Sequence, residues 1–122
     1  MLKTWINDEG QGVKTLVLSG SLDTTAAPQL ESEGISLISK GCKALVIDFS
    51  GLEFISSAGL RAVFTIVKKI MPLGGKLVIC GATGMVKNAL TMSGFDSFIP
   101  LKDTRAEAVT ACSPPDNKND KR

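Results

Sequence analysis

The sequence contains no histidine and no tyrosine, and it has only three cysteines. Without histidine, a Ser-His-Asp triad cannot be assembled, and no imidazole can act as a general base or a metal ligand. Cys42, Cys80 and Cys112 are widely spaced and form no Cys-x-x-Cys pair, which argues against a disulfide framework and against a zinc site. We therefore expect reduced thiols, no enzymatic activity, no bound metal and no cofactor.

Long apolar runs and a strong net charge are also missing. No stretch approaches the roughly 20 apolar residues that a membrane-spanning helix needs. The first five residues lead directly into polar Asn7-Asp8-Glu9, so no signal peptide is visible. The formal net charge is only +2, with acids and bases interleaved, which predicts no binding to nucleic acid and no insertion into a membrane. We expect a cytoplasmic protein that is a monomer or a weak dimer.

The sequence does contain a regular alternation of strand and helix patterns. Short strands are predicted at 2–6, 13–18, 44–49, 76–80 and 95–100, the third and fourth apolar nearly throughout. Helices are predicted at 25–39, from the serine pair 56–57 to Pro72, at 85–92, and at 104–112 with Asp103 as the cap. This order predicts an α/β fold, with a central mixed sheet of about five strands and about four helices. One domain would span 1–112, followed by a flexible polar tail at 113–122.

The most informative segment runs from the strand at 44–49 through a short turn to Ser56 and Ser57. Beyond the serines, an apolar stripe at helical spacing predicts one buried face, and Phe54 is also expected in the core. The stripe consists of Leu60, Val63, Phe64, Val67, Ile70 and Met71. A hydroxyl at such a junction lies where backbone N–H groups and the helix dipole favour a phosphate, either bound or attached. One of the two serines could equally be an ordinary N-cap.

Two glycine-containing turns could also be either phosphate-binding loops or ordinary connections between elements. Gly74-Gly75-Lys76 lacks the spacing of a phosphate-binding loop, and a strand rather than a helix follows it. Gly81-Ala82-Thr83-Gly84 lies between a strand and a helix, which is the right context for a turn that cradles phosphate. The end of a strand followed by the start of a helix explains this short motif better.

The segment Asp48 to Leu60, DFSGLEFISSAGL, resembles the central motif of STAS domains, the bacterial anti-sigma factor antagonists and their relatives. In that family, a buried strand ending Asp-x-Ser/Thr leads through an apolar turn to Asp-Ser-Ser/Ala-Gly-Leu at a helix start. The resemblance also includes Gly20-Ser21-Leu22-Asp23, Gly74-Gly75-Lys76-Leu77 and Ser93-Gly94-Phe95. It extends from the first strands through residues 104–112 and implies the STAS fold.

The resemblance implies regulation by partner switching. The unphosphorylated protein would bind a serine-kinase anti-sigma factor and release the sigma factor, and phosphorylation would block that binding. Alignment on Gly59-Leu60 places the family phosphoserine at Ser57, with Ser56, which replaces the usual aspartate, as the second choice. A serine phosphatase would reset the switch. The partner-binding residues implied are Asp23, Ser56, Ser57, Ala58, Gly59 and Arg61.

Other functions remain open at this point. The chain could be a STAS subunit of a different partner-switching or stress complex, or of a membrane transport assembly. It could also be a small nucleotide-binding protein that uses Ser57 and Gly81–Gly84. Asp23 could also have either of two roles. It could cap the first helix, or it could contact the kinase or the metal in the kinase's nucleotide site.

Overall fold

A computed structural model describes residues 1–112 and shows a five-stranded sheet in the order β1-β2-β3-β4-β5. The strands are β1 (Leu2–Gly10), β2 (Val13–Leu22), β3 (Ala44–Ile55), β4 (Lys76–Cys80) and β5 (Leu101–Lys102). β1 pairs with β2 in antiparallel orientation, and the other neighbours are parallel. The predicted mixed α/β sheet is confirmed. The predicted tail at 113–122 lies outside the described residues.

Within residues 1–112, four α-helices cover the two faces of the sheet. They are α1 (Ala27–Ser39), α2 (Ser57–Ile70), α3 (Gly84–Met92) and α4 (Arg105–Cys112). The larger core lies between one sheet face and α1, α2 and α3, while α4 covers the other face over Val46 and Val78. None of the helices in the described part of the chain has the length and hydrophobicity needed to cross a bilayer.

The predicted turn after residue 49 is wrong, because β3 continues to Ile55. Its second half pairs with the extended end of β2, from Ser19↔Gly51 to Leu22↔Ile55, with one register shift just before this segment and one within it. Leu52 and Ile55 are buried there, so backbone pairing and apolar burial outweigh the turn-like Ser50-Gly51 dipeptide. As a result, β2 and β3 end side by side at Leu22 and Ile55.

The buried face of α2 is only partly the predicted one. Val63, Val67 and Ile70 are buried as expected, and Leu60 packs partly buried against the core. Phe64 and Met71 are instead exposed, and Ala62 and Ile66 take their place in the core. The buried face of α2 is therefore rotated from the predicted one, away from Phe64 and toward Ala62 and Ile66. Phe54 was expected in the core but is 40% exposed, because the register shift between Leu52 and Phe54 interrupts the alternation of faces and leaves both Glu53 and Phe54 exposed.

Two predicted strands and one predicted helix cap also need correction. The strand predicted at 2–6 extends to Gly10, because polar Asn7 and Asp8 still pair with Thr15 and Lys14 of β2. The strand predicted at 95–100 is a 3-10 turn, Phe95–Ser97, and the strand follows it as the two-residue β5. Asp103 does not cap α4. Thr104 does, since the backbone N–H of Glu107 donates to its hydroxyl and the Glu107 carboxylate accepts from the Thr104 N–H, which is a capping box.

Candidate functional site

The junction between β3 and α2 assigns different positions to its two serines. Ser56 is the N-cap of α2, with extended backbone angles, and its hydroxyl accepts a hydrogen bond from the Gly59 N–H at 3.1 Å. Its own N–H donates to the Leu22 carbonyl at 2.9 Å, and its carbonyl accepts from the Leu60 N–H at 2.9 Å. Three hydrogen bonds therefore hold Ser56 between the end of β2 and the first turn of α2.

Ser57 is the first residue of α2, and its side chain is exposed. Its hydroxyl makes no hydrogen bond to another residue of 1–112. Ser56 satisfies the N–H groups of Gly59 and Leu60, which leaves those of Ser57 and Ala58 at the open end of the helix. The Ser57 hydroxyl is thus accessible from solvent, at a helix end whose dipole favours negative charge.

Asp23 lies beside this junction because β2 and β3 end together. Leu22 pairs with Ile55, so Asp23 and Ser56 follow directly on neighbouring parallel strands. One carboxylate oxygen of Asp23 accepts a hydrogen bond from the Ala26 N–H at 2.9 Å, ahead of α1. The side chain therefore has a structural role in the turn that leads into α1. Its predicted contact with a kinase or a nucleotide-site metal stays a prediction.

The other predicted partner-binding residues lie in the first two turns of α2 and differ in accessibility. Ala58 is half-buried against the core, and Arg61 is exposed. Gly59 is buried, and a Cβ atom there would lie 2.7 Å from the Leu22 carbonyl oxygen. Gly59 can therefore act on a partner only through the position that it gives to its neighbours. Arg61 follows Ser57 by four residues, which places both on the same side of the helix.

A cluster of aromatic rings lies next to this surface and was missed by the sequence analysis. The ring centroids of Phe64, Phe95 and Phe98 are 5.6 to 6.3 Å apart. The Lys68 ammonium lies 4.9 Å from the centroid of the Phe64 ring. Phe64 and Phe98 are each 40% exposed, whereas Phe95 is buried. The i,i+4 spacing of Phe64 and Lys68 was the one available sequence signal, because it is typical of a solvent-facing cation–π pair.

In the other candidate phosphate turn, Gly81–Gly84, the first glycine is engaged within the fold. The Gly81 N–H donates to the Lys102 carbonyl at 3.0 Å and is not free for a ligand. Gly81 also packs closely on Ser50, where a Cβ atom would lie 2.8 Å from the Ser50 Cβ. The Ser50 N–H in turn donates to the Asp48 carboxylate at 2.9 Å. These contacts give Gly81 a role in joining β4 to its neighbours.

Acidic and thiol side chains form no metal site within residues 1–112, where no group of three or more potential ligands comes together. The three cysteines are free and buried. Burial raises the pKa of the Cys80 thiol to about 12, with a further contribution from the negative charge of Asp48. Burial likewise raises the pKa of Cys112 to about 11 and raises that of Cys42. Such thiols are protonated at neutral pH and are poor nucleophiles.

Known proteins are similar to this chain in both fold and sequence. Residues 5–108 match the family model of the STAS domain. The Bordetella bronchiseptica protein BtrV, for which an anti-sigma factor antagonist role is proposed, is 35% identical over 104 residues, which cover 85% of this chain and 90% of BtrV. The anti-sigma F factor antagonist of Paenibacillus polymyxa is 29% identical over 101 residues, 82% of this chain and 86% of its own length.

A solved structure gives the same result for the fold. An anti-sigma factor antagonist from Mycobacterium paratuberculosis superposes with a TM-score of 0.82 at 30% sequence identity. The match covers 92% of this chain and 94% of the Mycobacterium chain. The chain belongs to the STAS domain family.

Proposed function

We propose that this protein is a cytoplasmic anti-sigma factor antagonist that acts by partner switching and has no catalytic activity of its own. Its unphosphorylated form binds a serine-kinase anti-sigma factor and thereby releases the sigma factor. Phosphorylation of Ser57 ends that binding. The names of the relatives support the general role. The observation that carries the choice of residue is the exposed and unbonded hydroxyl of Ser57, next to a Ser56 hydroxyl that is engaged as the helix cap.

The modification is a phosphoryl transfer that the kinase catalyses. The bond between the γ-phosphorus of ATP and its bridging oxygen breaks and ADP leaves, while a new bond forms between that phosphorus and the Ser57 Oγ. The hydroxyl proton passes to a base of the kinase. A serine phosphatase reverses the state by hydrolysis, in which water replaces the serine oxygen and inorganic phosphate is released.

The position of Ser57 lets the monomer accept a phosphate that a complex would not accept. The phosphate adds about −1.5 to −2 charges. At the N-terminus of α2, the helix dipole and the N–H groups of Ser57 and Ala58 offset part of that charge while solvent hydrates the rest. In a docked interface, the same phosphate would lose its water, at a cost of several kcal/mol if it stays unpaired. Phosphorylation therefore disfavours the complex without unfolding the protein.

The partner-binding surface proposed here surrounds Ser57 at the common ends of β2 and β3. Arg61 supplies an exposed cation, and Asp23 has a second carboxylate oxygen besides the one that accepts from Ala26. Gly59 contributes by holding the first turn of α2 close to β2. The full set proposed is Asp23, Ser56, Ser57, Ala58, Gly59 and Arg61.

Phosphosite mapping tests the proposal directly. The purified protein is incubated with its anti-sigma factor kinase and ATP, and the phosphate is located by mass spectrometry. We expect a single label on Ser57, no label in Ser57→Ala, and labelling in the hydroxyl-retaining control Ser57→Thr. A label on Ser56, or undiminished labelling of Ser57→Ala, would overturn the assignment. Binding of the phosphorylated protein to the kinase should also be weaker than that of the unmodified protein.

A further inference from the structure

An apolar groove lies one helical turn from Ser57 and has no assigned function. It encloses about 280 Å³ between the first half of α2 and the connection from α3 to β5. The lining residues are Leu60, Arg61, Phe64, Ser93, Phe95 and Phe98. Leu60 and Arg61 follow Ser57 by three and four residues and lie on the same side of the helix. A protein docked on Ser57 can therefore contact the groove at the same time.

The composition of the groove is that of a binding surface. Phe64 and Phe98 leave 40% of their surface in solvent, although each ring contacts two others. Met92, one residue before the lining Ser93, is 87% exposed. Contiguous exposed apolar surface of this kind marks interaction sites in soluble domains. Aromatic residues and arginine are also the residue types that dominate the energetics of protein interfaces.

The charges around the groove favour an acidic partner. Helix α2 carries Arg61, Lys68 and Lys69 and has no acidic residue. Neither Arg61 nor Lys68 forms an ion pair with another residue of 1–112. One acidic residue, Asp96, lies next to the lining residue Phe95 in the 3-10 turn, and its side chain is exposed. The exposed side of α2 therefore presents more positive than negative charge beside an apolar depression.

We propose that this groove anchors the anti-sigma factor through one apolar side chain that packs against the exposed parts of Phe64 and Phe98, next to a carboxylate that pairs with Arg61. The proposal rests on the proposed function and names the chemistry of the partner at a second contact beside Ser57. The apolar anchor supplies most of the affinity, and the ion pair fixes its position. Arg61 lies between the two contacts, within reach of both.

The test is calorimetric titration of the full-length protein with the kinase that phosphorylates it. Phe98→Ala and Arg61→Glu should each weaken binding by about tenfold or more, since truncation of an interface anchor or reversal of a paired charge has that magnitude. The matched controls are Trp5→Ala, an exposed aromatic residue on the edge strand β1, and Lys69→Glu, on α2 but outside the groove. Both controls should bind within about twofold of the wild type.

Salt dependence separates the two contacts. Raising the salt concentration from about 50 to about 500 mM should weaken binding of the wild type more than binding of Arg61→Glu, because the screened ion pair is absent from the variant. Phe98→Ala should keep the full salt dependence. Thermal unfolding of each variant distinguishes lost binding from lost structure. If Phe98→Ala is unstable, Phe64→Ala, at the other exposed ring of the groove, gives the second measurement.

The outcomes distinguish failure of this inference from failure of the proposed function. If the wild type is phosphorylated on Ser57 and Phe98→Ala folds but binds like the controls, the groove is not the anchor, whatever the effect of Arg61→Glu. If the wild type neither binds the kinase nor is phosphorylated by it, the proposed function fails. If sedimentation shows a dimer that Phe98→Ala dissociates, a second copy of this chain occupies the groove and the inference is overturned.

Discussion

The Ser56 hydroxyl accepts a hydrogen bond from the Gly59 N–H at 3.1 Å, and this bond gives the two neighbouring serines different roles. Ser56 is committed to the start of α2, while Ser57 has its hydroxyl in solvent. A kinase that modified Ser56 would have to draw its hydroxyl away from the Gly59 N–H, whereas one that modified Ser57 would leave the cap in place. The protein can therefore change its charge at this point while it keeps its fold.

The first prediction concerns stability. Ser56→Ala should lower the free energy of unfolding by about 1 kcal/mol, because the Gly59 N–H loses its capping partner. Ser57→Ala should change it by less than about 0.5 kcal/mol, as expected of an exposed side chain without a structural contact. Urea denaturation followed by circular dichroism measures both. An equal or larger loss in Ser57→Ala would mark Ser57 as the structural residue and would contradict the division described above.

Much of the fold could be predicted because its local signals are unambiguous. Strand β4 has the predicted bounds, since its apolar run stands between Gly75 and Gly81. The second half of β3 could not be predicted in this way. Ser50-Gly51 favours a turn locally, and only pairing with β2, a segment distant in sequence, keeps the chain extended to Ile55.

The site could be predicted in position but not in its division of roles. Both serines have the same side chain and the same local sequence context, and the choice of cap depends on backbone angles at the end of β3. The aromatic groove was missed for a different reason. The exposure of Phe64 depends on where Phe95 and Phe98 lie, and the 3-10 turn that places them resembles a strand in sequence.

The second prediction concerns the state with a phosphate on Ser57. Arg61 is on the same side of α2, four residues away, and forms no ion pair within residues 1–112. A cation at this distance stabilises the dianion, so the second pKa of phosphoserine 57 should lie below its ordinary value of about 6. Phosphoserine is installed at position 57 by genetic encoding, and its phosphorus resonance is titrated.

The control for this titration is Lys69, a cation of the same helix that lies in its last turn, away from Ser57. Arg61→Gln should raise the second pKa of the phosphate toward the peptide value, whereas Lys69→Gln should leave it closer to that of the wild type. Equal effects of both substitutions would indicate only the general field of α2, without a specific pairing with Arg61. Because the phosphoserine is encoded, the result does not depend on which kinase modifies the protein.

The third prediction concerns Gly59. Its Cα faces the end of β2, and a Cβ would lie 2.7 Å from the Leu22 carbonyl oxygen and 2.8 Å from the Leu22 Cγ. Gly59→Ala should therefore destabilise the protein by about 1–3 kcal/mol, although alanine is the better helix former. Denaturation of the variant gives the value. An unchanged or increased stability would show that α2 can move away from β2 at little cost.

A second helical glycine provides the comparison for this prediction. Gly34 of α1 packs against Ile66 of α2, where a Cβ would lie 2.5 Å from the Ile66 Cδ1. The obstructing atom there is the end of a side chain that can change rotamer, whereas at Gly59 it includes a backbone carbonyl fixed in the sheet. We expect Gly34→Ala to cost less stability than Gly59→Ala.

The fourth prediction is a loss of stability at alkaline pH that depends on the buried thiols. Burial raises the pKa of Cys80 to about 12 and that of Cys112 to about 11 in the folded protein, from 9.0 in the unfolded chain. Above pH 9 the unfolded chain has released these protons while the folded protein still holds them, so unfolding is favoured as pH rises. Well below pH 9 both states hold the protons, and the thiols add no pH dependence.

The free energy of unfolding should fall between pH 8 and pH 10.5, and it should fall less steeply in Cys80→Ala. Parallel curves for the two proteins would show that other groups cause the loss, since lysines also titrate near the top of this range.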